Sequence, residues 1–334
     1  MGNFYYDKLT DPEKAASDAI YTGLKQGSEE ISVKTIGTLQ EMRNAFQAVE
    51  YDHPEFFNVN FSYYSHSSGH TKLYPEYIYG YGQREEKRAR IEAKANEIIG
   101  KMKAAKANTV AEKCLWLHNY IVRNCTYNRS AKENHNAHRS AYSIEGVLLE
   151  GTAVCKGIAM AYKYLCDRLG IESIVATGFS LEPGCTEYGL HAWNIVMSGG
   201  AATQLDVTWD MCLTKEGEPI RYDYFFMPDI EMMRDHQYVG YPLCNNRQLN
   251  MFAHRKLLFT SVDGMDEYVG RAIKKADKDR MFLYFKMKNQ KETKEEIVDY
   301  IGKCIRKNTN KGYSMKYTVC NTQSVFYIDV TFSS

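Results

Sequence analysis

No run of apolar residues in this chain approaches the roughly 18 that a membrane-spanning helix needs, so no membrane span is expected. Excess charge is also lacking, with 42 Lys and Arg standing against 41 Asp and Glu. With no bulk field to attract polyanions, a nucleic-acid partner is not expected. The nine cysteines, at 114, 125, 155, 166, 185, 212, 244, 304 and 320, include no Cys-x-x-Cys pair. Their odd number and loose spacing argue against a disulfide framework and a zinc knuckle, and favour free thiols in a reducing compartment. There is no Gly-rich phosphate loop and no acidic cluster of calcium-loop type, so neither ATP nor a metal nor any other cofactor is expected. The start, Met-Gly-Asn-Phe-Tyr-Tyr, lacks a basic region followed by an apolar core. Together with the free thiols this favours the cytoplasm, although a chain whose leader had been removed would read the same.

The 334 residues, 44% hydrophobic and 25% charged, are enough for two or three ordinary globular domains. Residues 1–85 read as an α+β domain. A helix starts at Asp11-Pro12-Glu13, a periodic stretch covers 39–49, and a Tyr-rich tract over 56–81, punctuated by Gly69, Gly80 and Gly82, reads as strands and turns. A charged helix follows from about 83 to 106. Another covers 110–124, with apolar residues at 110, 114, 117 and 121. The core occupies 86–245. From 250 to 334, β-like stretches (256–261, 281–286, 313–320, 325–332) alternate with helical ones (266–276, 293–307), which predicts a small α+β domain with an antiparallel sheet.

The most informative residues lie around Cys155. In Gly-Thr-Ala-Val-Cys-Lys-Gly (151–157) the thiol opens a helix whose apolar face recurs at Ile158, Tyr162, Leu165 and Leu169, while Lys163, Asp167 and Arg168 lie off that face. Thr152 is the expected N-cap, and Gly170 is placed to end the helix in a left-handed conformation. A thiol in a first helical turn faces unpaired N–H groups and the positive end of the dipole, which lower its pKa and can receive an oxyanion. Lys156 adds positive charge if it points the right way, and Gly157 lets a substrate or a neighbouring strand approach closely. Alone, Cys155 reads better as a buried structural cysteine that continues the apolar stripe.

Its partners change that reading. Residues 190–196 and 204–210 read as two strands flanking a hairpin signal, Ser198-Gly199-Gly200. If Ser198 and Gly199 form the turn, His191 faces Asp206, with Cβ atoms roughly 5 Å apart. If Gly199 and Gly200 form it, His191 faces Thr208, and Asp206 lies one diagonal step away on the same face. Trp193 shares the His191 face, and Leu205, Val207 and Trp209 take the other. An aspartate in reach of an imidazole fixes its tautomer and steadies its cation.

These residues resemble the transglutaminase-like superfamily, relatives of the papain-type thiol enzymes. The likeness rests on Gly151 to Ala159, Gly170-Ile171, His191-Ala192-Trp193 and Asp206 to Asp210. Tyr120 to Tyr127 upstream and Tyr222 to Phe226 downstream extend it over about 110–240. The chain looks most like bacterial members that carry this core between flanking domains. The resemblance implies an α+β, papain-like fold with the cysteine helix packed on an antiparallel sheet. It implies Cys155 as nucleophile, His191 as base and Asp206 as orienting carboxylate. Trp209 and Asp210 match the motif as supporting residues beside the site. For a side-chain oxyanion donor, Tyr127 and Asn124 are the nearest candidates, each also readable as structural.

Other signals are weaker. His135 and His138 have the spacing of a metal pair but lie in a polar stretch without a third ligand nearby. The Tyr63 to Tyr81 aromatics read better as half-buried sheet residues than as a sugar platform. The basic stretch 84–90 is interleaved with Glu85 and Glu86, as on a solvated helix. The expected function is thiol-dependent acyl transfer on a protein or peptide, a cell-wall peptide among the candidates. Hydrolysis is favoured over transamidation, because nothing reserves a place for an acceptor amine. A catalytically idle peptide- or glycan-binding module is the alternative from another class.

Overall fold

The computed structural model describes residues 3–34, 38–60, 64–67, 70–182, 184–247, 249–277, 279–288 and 291–333. The chain opens with α1 (Asp11–Gln26), whose start is a capping box between Thr10 and Glu13 and whose end is Gly27 in the left-handed region. There follow β1 (Ile31–Lys34), α2 (Leu39–Asp52), β2 (Val59–Asn60), β3 (Tyr64–Ser67), β4 (His70–Leu73) and β5 (Glu76–Tyr77). The first sheet runs β1-β4-β3 and is antiparallel. Ile20, Leu24, Val33, Met42, Val49 and Leu73 form the core beneath it. α2 runs three residues past the expected end at 49 because Asp52 turns inward, accepting the N–H groups of Tyr5 (3.0 Å) and Tyr6 (2.9 Å). Tyr63 and Gly69 of the Tyr-rich tract lie outside the described residues.

The central unit begins with α3 (Tyr81–Ala104) and α4 (Val110–Asn124), the latter capped by Thr109 and Glu112. Next come β6 (Thr126–Tyr127), α5 (Arg129–Glu133), a 3₁₀ stretch (His135–Tyr142), a wide π-helical turn (Gly146–Glu150), β7 (Thr152–Ala153) and α6 (Cys155–Arg168). Then follow β8 (Ser173–Ser180), β9 (Gly189–Ser198), β10 (Ala201–Leu205), α7 (Val207–Leu213), β11 (Phe225–Met227), α8 (Asp229–Met232) and β12 (His236–Gln237). The sheet order is β11-β10-β9-β8-β12, every neighbour antiparallel. α6 lies on this sheet, where the Asn194 amide of β9 donates to the carbonyl of Ala159 at 2.9 Å. Its other side meets α4, where the Tyr162 hydroxyl donates to the carbonyl of Cys114 at 2.9 Å. Ile158, Tyr162 and Leu165 are thereby removed from water, each contributing about 1.5–3 kcal/mol.

Three local expectations are corrected. Thr152 does not cap α6, because Thr152 and Ala153 pair in parallel with β6, so Val154 takes the cap position and the helix starts at Cys155 itself. Lys163 is not on a solvated face but buried, its charge matched by Asp167 one turn on at 2.9 Å. The stretch 204–210 is not a strand throughout. β10 stops at Leu205, and Asp206 caps α7 by accepting the N–H of Trp209 at 3.0 Å. The hairpin turn is Gly199-Gly200, both at positive φ, so that Ala201 pairs with Ser198 and Leu205 with Asn194.

The last unit comprises α9 (Met251–His254), β13 (Leu258–Phe259), α10 (Met265–Lys274), β14 (Arg280–Met287), α11 (Lys294–Asn308), β15 (Tyr313–Cys320) and β16 (Val325–Phe332). Its sheet, β13-β14-β16-β15, is antiparallel except for the short edge strand β13, which runs parallel to β14. Leu283, Phe285, Ile301, Ile305, Phe326 and Ile328 are among the residues of a separate core. Polar side chains join it to the centre. The Tyr284 hydroxyl accepts from Tyr222 N–H (2.6 Å) and donates to Asp223 (2.7 Å), and Lys286 pairs with Glu231 at 2.6 Å. Among the described residues no helix is long and apolar enough to cross a membrane.

The packing at the start of α6 is testable. A Cβ on Gly157 would lie 2.3 Å from the backbone oxygen of Ala141. The expected cost of Gly157→Ala is about 1–3 kcal/mol, as for overpacking elsewhere. Urea unfolding of the two proteins measures it, and an unchanged midpoint would contradict the close approach.

Candidate active site

Cys155 is the first residue of α6, half-buried, and no side chain caps the turn it begins. The free N–H groups and the dipole at this point favour an anion. Burial pushes the thiol pKa up. The hydrogen bond and charge of His191, with the N–H of Ala192, outweigh it, so the thiol titrates below its ordinary value. Lys156 takes no part in this, because its ammonium is engaged by Glu50 of α2 at 2.6 Å.

His191 sits near the start of β9, opposite Gly178 of β8. Its Nε2 lies 2.6 Å from Asp206 Oδ2, which leaves Nδ1 as the ring atom for the thiol. Burial would lower the imidazole pKa. The adjacent Asp206 carboxylate, followed by the sulfur, raises it instead to about 10. Asp206 is fully buried, yet the charge and hydrogen bond of His191 and a second bond from His236 overcome desolvation and hold it well below the usual carboxylate range. Cys155, His191 and Asp206 are thus brought together. A thiol that titrates low thus lies beside an imidazole that titrates high, with a low-titrating carboxylate behind it.

The aromatic surround is rearranged relative to the two-strand expectation. Trp193 does stack on His191, with centroids 5.9 Å apart and planes at 18°, and its indole N–H donates to Gln204 at 2.7 Å. Because α7 replaces the second strand, Trp209 also comes onto the His191 side, 6.0 Å from that ring and 4.6 Å from His236. Asp210 points elsewhere. It accepts from His118 Nε2 (3.0 Å) and from Tyr224 N–H (3.0 Å), and burial raises its pKa to about 7. Gly157 admits the backbone of residue 141 rather than a strand or a substrate. Tyr127 on β6 lies near the thiol: burial first, then the charge of Cys155, pushes its hydroxyl pKa far up. The Asn124 amide donates one hydrogen bond to the carbonyl of Tyr120, at 2.7 Å. His138 is half-buried, while the His135 side chain lies outside what is described.

His236 was not anticipated from the sequence. Its Nε2 is 3.2 Å from the same Asp206 oxygen and its Nδ1 is 2.7 Å from Asp235 Oδ1. Nothing but the adjacency of acid and imidazole in Asp235-His236 could have pointed to it. Tyr51 of α2 is a further neighbour of the thiol. Ligand atoms of His191, Asp206 and His236 lie within 4.8 Å of one another, so this trio is also a donor set that could hold a metal ion. Such an ion would displace both imidazole hydrogen bonds from Asp206 Oδ2.

The raised His191 value contributes stability that is fully present below its ordinary 6.5 and is lost as pH rises through about 10. The depressed Asp206 contributes above its ordinary 3.8 and loses that contribution as pH falls further. Carbamidomethylation of Cys155 by iodoacetamide, followed by mass spectrometry across pH, is therefore expected to stay fast near neutrality. An ordinary thiol, at 9.0, is mostly protonated there. Asp206→Asn should slow it roughly tenfold or more at pH 7, one pKa unit being tenfold in thiolate. A rate matching free cysteine would contradict the activated state.

No curated protein matches the chain by sequence. Among solved structures, one described as a TGase is 15% identical, with a TM-score of 0.33, covering 57% of this chain and 54% of its own. A candidate cysteine protease from Cytophaga hutchinsonii is 22% identical, with a TM-score of 0.29, covering 35% of this chain and 37% of its own. A candidate protease from Parabacteroides distasonis is 9% identical, with a TM-score of 0.24 and coverages of 82% and 61%. The chain thus spans between about a third and three fifths of these proteins, and superpositions this loose carry no functional reading. The family model of the transglutaminase-like superfamily matches residues 94–207, a stretch that includes Cys155, His191 and Asp206.

Proposed function

We propose that the protein is a thiol-dependent acyl-transfer enzyme that hydrolyses peptide or side-chain amide bonds, with Cys155 as nucleophile, His191 as proton carrier and Asp206 as orienting carboxylate. The observation that carries this reading is the position of His191: one ring nitrogen is 2.6 Å from a buried carboxylate, and the ring also interacts with a thiol whose pKa it lowers. The Cys155 sulfur attacks the amide carbonyl carbon, and the oxygen takes the negative charge. The N–H groups of the first turn of α6, which no side chain caps, are the donors this reading assigns to that charge. The His191 imidazolium gives its proton to the amine nitrogen as the C–N bond breaks, leaving a thioester on Cys155 and a neutral imidazole. That imidazole takes a proton from water as the water oxygen attacks the thioester, and the sulfur leaves as thiolate while the acid is released.

In this reading the division into 1–85, 86–245 and 250–334 is a division of labour. The middle unit carries the chemistry, and α2 of the first lines the approach with Glu50 and Tyr51. Hydrolysis is preferred to amine transfer because water needs no dedicated site, and a protein or peptide is the substrate class.

The test is mass spectrometry of a mixed peptide and cell-wall fragment library incubated with wild type and Cys155→Ala. New carboxyl ends are expected with wild type, and a loss of at least roughly 10³-fold in the variant, as for nucleophile removal elsewhere. Incorporation of an added primary amine in preference to water would replace hydrolysis with transamidation. If peptide chloromethyl ketones bind without forming an adduct on Cys155, the acyl-enzyme reading fails and a binding module takes its place.

A further inference from the structure

Behind Asp206 the hydrogen bonds do not stop. Asp206 Oδ1 accepts from Trp209 N–H at 3.0 Å, and Oδ2 receives both His191 (2.6 Å) and His236 (3.2 Å). His236, on β12, is buried between the rings of Trp209 at 4.6 Å and Trp193 at 5.0 Å. Its two nitrogens face two carboxylates, Asp206 and Asp235, so the ring acts as a rigid spacer between them. The other oxygen of Asp235, Oδ2, accepts from the Tyr224 hydroxyl at 2.7 Å and from Gln323 Nε2 at 3.1 Å.

Gln323 belongs to the far end of the chain, in the tight turn between β15 and β16. It is fully buried, which is unusual for a glutamine at the tip of a hairpin. Its Nε2 also donates to the carbonyl of Glu231 at 3.1 Å, while its Oε1 is buried without a partner. An amide kept inside with an orphaned acceptor is held there for its donor end. The turn is anchored nearby by Arg234, which donates to the carbonyl of Thr322 at 3.1 Å, and Ser324 takes positive φ to close it.

We infer that Gln323, Asp235 and His236 form a positioning relay through which the C-terminal unit fixes the orientation of Asp206 and hence of His191 against Cys155. The inference rests on the proposed roles of those three residues, and none of the relay residues touches the reacting atoms. Each link constrains the next, because a carboxylate with three donors cannot rotate without breaking one. When the turn is removed, Asp235 loses a donor, the His236 ring loses its fixed backing, and Asp206 keeps its charge but not its aim.

The experiment uses the full chain and needs no substrate. The rate of iodoacetamide alkylation of Cys155 is measured across pH in wild type, Gln323→Met, Asp235→Asn and Tyr284→Phe. Gln323→Met keeps volume and removes the donor. Asp235→Asn keeps shape and removes charge. Tyr284→Phe breaks a different contact of the same unit, the hydroxyl bonds to Tyr222 and Asp223. Gln323→Met and Asp235→Asn are each expected to slow alkylation at pH 7 roughly three- to tenfold and to move the acid limb of the profile upward, the range expected when one bond of a charged network is lost. Tyr284→Phe should stay within about twofold of wild type, as expected where a contact with no partner in the relay is lost. If both relay variants react like wild type, or if Tyr284→Phe slows as much as they do, the relay is overturned and the contact is docking alone. Fast wild-type alkylation without amide turnover would instead sink the acyl-transfer reading and leave the relay standing.

Discussion

One carboxylate oxygen, Asp206 Oδ2, organises this structure. Burying a carboxylate costs several kcal/mol unless donors replace its water. Asp206 meets that requirement with two imidazoles and a backbone N–H. The backbone bond is also what ends β10 and starts α7, so one side chain sets both the local fold and the charge state of His191. Asp210, one helical turn later and equally buried, shows the contrast. It has one imidazole and one N–H, and the Asp223 charge nearby adds to burial in raising it to about 7. Two carboxylates four residues apart are thus held at opposite ends of their range by their donors.

The thiol follows from the same oxygen. A cysteine this enclosed would ordinarily be harder to ionise. Here the Asp206 charge keeps a proton on His191, and that cation outweighs burial at the sulfur. The nearest lysine contributes nothing to it, since Lys156 reaches away to Glu50. That pairing has another effect. It ties the first turn of α6 to the end of α2, beside Tyr51, so the N-terminal unit forms a wall next to the Cys155 sulfur.

Much of this was legible in the residues. The ends of α4, β15 and β16 follow from strong apolar periodicity, and α1 and α4 carry capping boxes that announce their starts. Cys155, His191 and Asp206 were readable because each lies in a short motif whose spacing constrains geometry. The structure departs from the expected second strand for a physical reason. Asp-Val-Thr-Trp alternates like a strand, yet Asp followed by residues able to form a turn is equally an N-cap, and the buried carboxylate decides between them. The Gly199-Gly200 turn selects the register in which His191 would face Thr208, but the strand has already ended. His236 and Gln323 carry no periodic signal, because their roles depend on contacts 30 and 88 residues away in the chain.

Gly178 shows how such distant parts are admitted. It pairs with His191 across β8 and β9, and any Cβ there would lie 2.2 Å from the carbonyl of Gln237 and 3.0 Å from the Trp193 ring. The missing side chain is what allows β12 to close on β8, with His236 opposite Ser180. Without that approach, His236 could not reach Asp206, and the chain of donors toward Gln323 would have no first member. The sheet edge, the imidazole pair and the C-terminal turn therefore share a single steric condition, met by one glycine directly behind the histidine that faces the thiol.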